Sequence, residues 1–170
     1  MSIVLDGTTG ITTPALDSTA KFASADMPLG SVLQVVNATF STQTTSSSST
    51  FADTGLTASI TPTSASSKIL VLVSQAGCGK QNSDTVLRLR LLRGATVISD
   101  FERLGGYNAA STNNFIGSCS VCFLDSPATT SATTYKTQLS SSSNSSQVYT
   151  QINDGTIITM STITLMEIAA

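Results

Sequence analysis

The run Lys68-Ile69-Leu70-Val71-Leu72-Val73-Ser74 constrains the fold more than any other feature of this chain. It is the only long unbroken apolar stretch, and it is short and rich in β-branched residues. Gly77 follows it closely, so the pattern predicts a β-strand rather than a helix. The side chains that point to either side of this strand are all apolar. We therefore expect both faces to be covered, by a second layer of the fold or by a partner subunit.

Shorter segments with a period of two surround this run. In Thr85–Arg93 three leucines point one way and two arginines the other, and Gly94-Ala95 then predicts a tight hairpin. Similar segments recur along the chain with turn signals between them. This spacing predicts an all-β fold, an antiparallel β-sandwich over residues 31–170, with a jelly roll as the favoured topology.

The composition narrows the classes of partner. Only 11% of the residues are charged and the net charge is -2, while Ser and Thr make up about a third of the chain. Such a surface offers nothing to a phosphate backbone, so we expect no nucleic-acid binding. No apolar run approaches the ~20 residues of a membrane span, and no basic segment precedes an apolar one at the start. We therefore expect no membrane insertion and synthesis in a cytoplasm.

Residues 1–30 differ from the rest of the chain. Asp6-Gly7 signals a turn, and Pro14 and Pro28 disfavour a helix before them. Apolar side chains are too few in this segment to build a core of its own. We predict an extended N-terminal arm that is separate from the sandwich.

The chain resembles a known class of virion protein. Val4–Thr12 looks like a segment common in tail-fibre and related proteins of tailed bacteriophages. Further segments are similar to a domain of tail-fibre-like phage proteins, especially marine ones; they are Gly30–Val36, Thr50–Pro62, Ser67–Val71, Leu91–Gly94, Leu124–Ala128 and Ile163–Ile168. The resemblance covers most of the chain. Its motifs are structural, so they imply a role in the virion and not a particular ligand.

The resemblance implies a small homotrimeric tail fibre on the phage particle, made in the host bacterium and bound to other virion proteins of the tail or capsid. The residues expected to anchor the arm are Ile3, Val4, Leu5, Ile11, Pro14 and Leu16. Those expected at the trimer interface are Ile163, Leu165 and Ile168. Two loops, 77–84 and 102–114, are expected to touch a host-surface glycan or protein through Lys80, Asn82, Tyr107, Asn108 and Asn113.

Two alternatives remain open. A capsid fibre or decoration protein would be built in the same way but would dock on the phage head. A glycosidase carried by the particle is the third hypothesis, because paired carboxylates can come together in space from distant positions in the sequence. The scattered acidic residues show no such pair, and this counts against an enzyme.

The sequence carries no clear catalytic or metal-binding set. It has no histidine, which removes the commonest general base and metal ligand. Cys119 and Cys122 have C-x-x-C spacing, but they lie in a predicted strand, where positions three apart point to opposite faces. We expect these thiols and Cys78 to be free. Gly77-Cys78-Gly79-Lys80 lacks the first glycine and the final hydroxyl of a phosphate-binding loop. We therefore predict no enzymatic activity, no metal and no cofactor.

Overall fold

The computed structural model describes residues 27–109, 114–143, 146–153, 155–156 and 158–170. These residues form ten β-strands and no helix. The strands are β1 (Val32–Phe40), β2 (Thr44–Ser46), β3 (Ala52–Ile60), β4 (Lys68–Lys80), β5 (Leu87–Arg93), β6 (Thr96–Gly105), β7 (Asn114–Asp125), β8 (Thr133–Ser141), β9 (Val148–Thr150) and β10 (Ser161–Ile168).

Two antiparallel sheets make up the fold. The first contains β1, β10, β4 and β7 side by side, with the short β9 and β2 continuing from the far end of β4. The second has the order β3-β8-β5-β6. Across the two sheets the eight long strands pair as nested hairpins, β1 with β10, β3 with β8, β4 with β7 and β5 with β6. A long hairpin rolled up in this way is a jelly roll, so the predicted topology is confirmed.

The two ends of the sandwich differ. At one end of the sandwich β1 and β4 begin and β10 ends, and we call this end the base. There the N–H of Gly30 donates to the carbonyl of Ala169 at 2.8 Å. The opposite end, where β4 finishes at Lys80 and β7 begins at Asn114, we call the tip. The predicted boundary of the arm near residue 30 stays a prediction, because residues 1–26 lie outside the described ranges.

The predicted core strand is covered on one face only. Ile69, Val71 and Val73 are at most 3% exposed, and they pack against the second sheet. Burial of three such side chains contributes about 6 kcal/mol as an upper estimate. Leu70 and Leu72 point outward and are only half-buried. The sequence left two coverings open for the second face, a layer of the fold or a partner subunit, and no described layer of this chain covers it.

The interior contains two hydrophobic clusters joined by a buried polar network. One cluster, around Val71 and Leu165, fills the base half, and the other, around Leu87 and Leu139, fills the tip half. Between them the Thr137 hydroxyl donates to Gln75 Oε1 at 2.8 Å. The side chains of Thr54, Thr150, Gln151 and Ser161 are further members of the network, and each has a hydrogen-bond partner within it. The network joins the two sheets without leaving these side chains unsatisfied.

Several strand boundaries differ from the sequence prediction. β4 continues through Gly77 and Gly79 to Lys80, where the sequence predicted a loop from residue 77. Here β4 bulges, and Gly77 has a positive φ of 59°, which glycine adopts without strain. β6 likewise runs on to Gly105, into the predicted loop 102–114.

Two of the predicted interface residues are part of the core. The side chains of Ile163 and Leu165 are fully buried between the sheets of one chain. They have no surface to offer another subunit, so the prediction that they form the trimer interface is wrong. The predicted alternation of β10 is present, but the predicted interface set mixes two inward residues with one outward residue. Ile168 belongs to the outward set and is half-buried.

Candidate functional site

Four of the five predicted host-contact residues come together at the tip. Lys80 ends β4, Asn82 follows it, and Tyr107 and Asn108 lie in the turn after β6. The two loops that carry them are far apart in the sequence but adjacent in the fold. The fifth residue, Asn113, lies outside the described residues.

Lys80 joins the two loops. Its ammonium group donates to the carbonyl oxygen of Asn82 in one loop and, at 2.8 Å, to Oδ1 of Asn108 in the other. The side chain is fully buried, and among the described residues it forms no salt bridge. Lys80 therefore positions the loops and cannot itself touch a receptor, so its prediction as a host contact is wrong.

The loop after Lys80 has an unusual backbone. Asn82 and Asp84 both have positive φ, 65° and 55°, a region that Asn and Asp enter more readily than most residues. The N–H of Asp84 donates to the carbonyl of Asn108 at 3.1 Å, and the hydroxyl of Tyr107 donates to Oδ1 of Asp84 at 3.3 Å. Both loops are thus fixed to each other as well as to Lys80.

The surface of the tip exposes large side chains. Tyr107 is 61% exposed, and Leu104 and Phe115 are 73% and 68% exposed. Sequence reasoning predicted Tyr107 and missed the other two. Leu104 lies in a predicted loop, and Phe115 is turned outward because the pairing of β4 with β7 bulges nearby. The ring of Phe115 meets Tyr149 edge-on at a centroid distance of 6.4 Å. An exposed aromatic side chain beside amides and a carboxylate suits contact with a sugar ring or with another protein.

Gly79 makes the packing under this surface possible. A Cβ on Gly79 would lie 2.3 Å from the hydroxyl oxygen of Tyr149, closer than atoms can approach. Tyr149 therefore lies across β4 only because residue 79 is a glycine. This contact explains why a glycine stands at position 79, in the stretch that partly resembles a phosphate-binding loop.

The base is held by a buried carboxylate. Glu167 Oε1 accepts the N–H and the hydroxyl of Thr63, both at 2.7 Å, and Oε2 accepts Nε2 of Gln34 at 2.6 Å. Burial acts to raise the pKa of Glu167, but its hydrogen bonds, led by the one from Gln34, outweigh it and lower the pKa. Glu167 thus connects β10 to β1 and to the turn between β3 and β4.

A second polar group connects the two sheets at the base. Arg93 Nη1 contacts both carboxylate oxygens of Asp125 at 2.8 Å, and the Tyr135 hydroxyl donates to Oδ2 of Asp125 at 2.7 Å. Burial and the hydrogen bond to Asp125 raise the pKa of Tyr135 well above its usual range. All three side chains satisfy one another, which makes this a structural group rather than a reactive one.

An open cleft of about 410 Å³ lies at the base. Met27, Leu29, Leu33 and Ala170 line it beside residues of the turn between β3 and β4. Leu29 is 82% exposed there. The predicted arm-anchoring residues Ile3, Val4, Leu5, Ile11, Pro14 and Leu16 all lie outside the described residues.

Reactive groups do not converge in the described part of the chain. No cluster of three or more Asp, Glu, Cys or His side chains that could hold a metal occurs there. Cys78 and Cys119 are buried and Cys122 is exposed, all three as free thiols. Cys119 and Cys122 therefore point to opposite sides of β7, as their spacing predicted. The interaction between the two buried thiols raises the pKa of Cys78 and lowers that of Cys119.

No helix in the described ranges is long and apolar enough to cross a membrane.

Comparisons with known proteins identify no family. No family model matches the chain, and no curated protein matches it. Among solved structures it is similar to the VP2 subviral particle of infectious bursal disease virus, with 13% identity and a TM-score of 0.41. That likeness covers 82% of this chain and 38% of the other, so this chain spans well under half of the neighbour's length. A likeness at that level says nothing about what this chain does.

Proposed function

We propose that this chain is a structural protein of a tailed-bacteriophage particle, a small homotrimeric tail fibre. In this proposal residues 1–30 attach the protein to the virion, and the jelly roll presents its tip to the host surface. In this proposal the protein acts as a scaffold and not as an enzyme, and the described residues contain no cluster that could hold a metal.

The distribution of the resembling segments is the observation that carries the proposal. Six of them lie in the sandwich, and five of these six are in the base half: the starts of β1 and β4, and the ends of β5, β7 and β10. The sixth, Thr50–Pro62, runs along β3 and reaches the base at Ile60. None includes the tip loops. The base, next to the arm, thus carries the segments that resemble phage proteins, and the tip at the opposite end carries none. This arrangement suits a protein that docks on the virion through its base and recognises the host through its tip.

The base itself is suited to a fixed role. Glu167, Arg93 and Asp125 all belong to resembling segments, and each is hydrogen-bonded to other parts of the fold. These side chains stabilise the fold, which agrees with the structural character of the resembling segments. By contrast, the exposed Tyr107 and Phe115 at the tip belong to none of the resembling segments.

Labelling on intact particles tests the proposal. A tag inserted at the tip, followed by electron microscopy of purified virions, should decorate the tail. Decoration of the head would instead support the capsid-fibre alternative, and no decoration would contradict a virion role.

Removal of the arm gives a second test. Deletion of Met1–Met27 should leave a folded jelly roll that no longer joins particles, because the described sandwich contains its own complete core. Assembly of the truncated protein onto virions would place the anchor in the sandwich.

Incubation of the intact protein with host envelope tests the glycosidase hypothesis. It should release no sugar; release would favour the glycosidase.

A further inference from the structure

An apolar row crosses the outer face of the first sheet. Val35 on β1 faces Met166 on β10, Met166 faces Leu70 on β4, and Leu70 faces Leu124 on β7. Partners in adjacent strands point to the same side of a sheet. All four point away from the second sheet, and Val35 and Leu124 are 55% and 51% exposed. We call these four side chains the apolar row.

The rows beside it become polar toward the tip. The next row contains Leu72 and Cys122 together with Asn37 and Thr164, and the row after it consists of hydroxyl side chains. Lys68, at the base edge, is the one charge among the outward positions of these four strands. The face is therefore nearly free of charge, and it is most apolar in the base half.

The outer face of the second sheet, in contrast, is rich in charge. It carries charged side chains on several strands, among them Asp53, Arg88, Arg90, Asp100 and Lys136. Lys136 and Asp53 form an ion pair at 2.8 Å, and Arg90 lies 4.0 Å from the centre of the Phe51 ring. Charged groups that pair and remain hydrated in this way are costly to bury under an uncharged partner. The second face is thus suited to solvent.

We infer that the outer face of the first sheet is the subunit interface, packed against the same face of other copies of this chain around a threefold axis. The inference rests on the homotrimer of the proposed function and names its contact surface. An uncharged face needs an uncharged partner, and the chain's own first-sheet face meets that need whereas its second-sheet face does not. Symmetry around an axis along the strands would also bring apolar row against apolar row and hydroxyl row against hydroxyl row.

The face by itself is smaller than a usual subunit interface, so it would form the centre of the contact and not the whole of it. Four strands about 4.8 Å apart and four rows about 6.8 Å apart cover on the order of 400 Å². A stable interface buries about 800 Å² on each partner, with an apolar centre and a polar rim. The apolar row with Leu72 would form the centre, and the hydroxyl rows and the base edge would form the rim.

Cys122 provides a reporter inside this face. It is the exposed cysteine of the three, so in the folded chain a maleimide should react with it and not with buried Cys78 or Cys119. We expect the full chain to scatter light as about three times the 17.5 kDa chain mass. In that trimer Cys122 should react at least tenfold more slowly than in a monomeric variant. A Cys122→Ser variant identifies the reacting thiol.

Val35 and Val97 form a matched pair for substitution. Both are half-exposed valines on strands, Val35 in the apolar row and Val97 on β6 of the second sheet. Val35→Lys should convert the trimer to a monomer and release the Cys122 reactivity, whereas Val97→Lys should change neither. Leu124→Lys repeats the test on another strand, and circular dichroism confirms that each variant keeps its β-structure.

The outcomes separate the interface from the trimer. If the wild type is a trimer but Cys122 reacts freely, or if both Val35→Lys and Leu124→Lys stay trimeric, the interface lies elsewhere and this inference is overturned while the trimer stands. A wild-type monomer at micromolar concentration overturns both. If deletion of Met1–Met27 exposes Cys122 without changing the number of subunits, the arm covers the face and another copy does not.

Discussion

A buried charged side chain joins separate elements at the base, Glu167, and another does so at the tip, Lys80, and the two are held differently. At the base, Glu167 accepts three hydrogen bonds from β1 and from the turn after β3, elements up to 133 positions away in the sequence. At the tip, Lys80 donates to two neutral oxygens of nearby loops. Glu167 thus connects strands of the sandwich, whereas Lys80 connects only the two loops at the tip.

This difference separates two kinds of sequence constraint. A change at the base disturbs pairs of strands that close the nested hairpin, so its cost falls on the whole fold. A change at the tip disturbs loops whose shape does not determine the pairing of the long strands. A fold of this kind can therefore keep one end constant and vary the other, which is the property that a docking and recognition protein needs.

Truncation of the base carboxylate should have the largest effect. Glu167→Ala leaves the N–H and hydroxyl of Thr63 and the amide of Gln34 without their buried acceptor. We expect a loss of about 3–5 kcal/mol in the free energy of unfolding, measured by urea denaturation with circular dichroism, since the chain has no tryptophan. The matched control is Asp53→Ala, which removes a half-exposed carboxylate from its ion pair and should cost about 1 kcal/mol or less. Equal losses in both variants would contradict the role given to Glu167.

Acid should weaken the base before the tip. Because the folded state lowers the pKa of Glu167, this group contributes its stability fully above its ordinary pKa, and the contribution is lost as the pH falls through the folded value. The melting temperature should therefore be nearly constant from pH 7 to pH 5 and fall below about pH 4. In Glu167→Gln the fall should be shallower. A residual slope is expected from Asp53, where burial acts to raise the pKa but hydrogen bonds from Lys136 and Gln138 lower it overall. If the melting temperature of Glu167→Gln fell with pH as steeply as that of the wild type, Glu167 would not be the source of the acid sensitivity.

Sequence patterns predicted the strands and their inward faces well. The period of two in β5 placed Leu87, Leu89 and Leu91 inside, and the same rule placed Cys119 inside and Cys122 outside. Such patterns report which side chains alternate. They do not report which of two apolar sets faces the second sheet, and that is why Ile163 and Leu165 were assigned to a subunit interface although they are core residues.

The candidate site was predictable only in outline. Loop composition indicated that residues around Asn82 and Tyr107 would be exposed, and the fold brings their loops together. The burial of Lys80 and Glu167 was not predictable, because a charged residue is normally exposed and only its partners in space reveal the exception. Those partners lie in other loops and strands, so no local pattern contains them.

Replacement of the tip ammonium should have a smaller effect on the fold. In Lys80→Met a similar volume is kept, and the cost of burying a charge disappears along with two hydrogen bonds. We expect the free energy of unfolding to change by about 1 kcal/mol or less, in either direction. Hydrogen exchange at residues 82–84 and 106–109 should nevertheless become faster, because the loops lose their common partner. A loss as large as that of Glu167→Ala would show that the tip supports the fold as the base does.

Replacement of Tyr107 should leave the fold unchanged and isolate the function of the tip. Its ring is mostly exposed, and its one hydrogen bond is a long one to the exposed Asp84, so Tyr107→Ala should alter the free energy of unfolding by about 0.5 kcal/mol or less. If the tip recognises the host, adsorption of the purified protein to host cells should fall about tenfold or more, since exposed aromatic side chains often dominate such contacts. Val97→Ala, a half-exposed truncation on β6, is the control and should bind normally. Full binding by Tyr107→Ala together with a loss in Val97→Ala would move the recognition surface from the tip to the side of the second sheet.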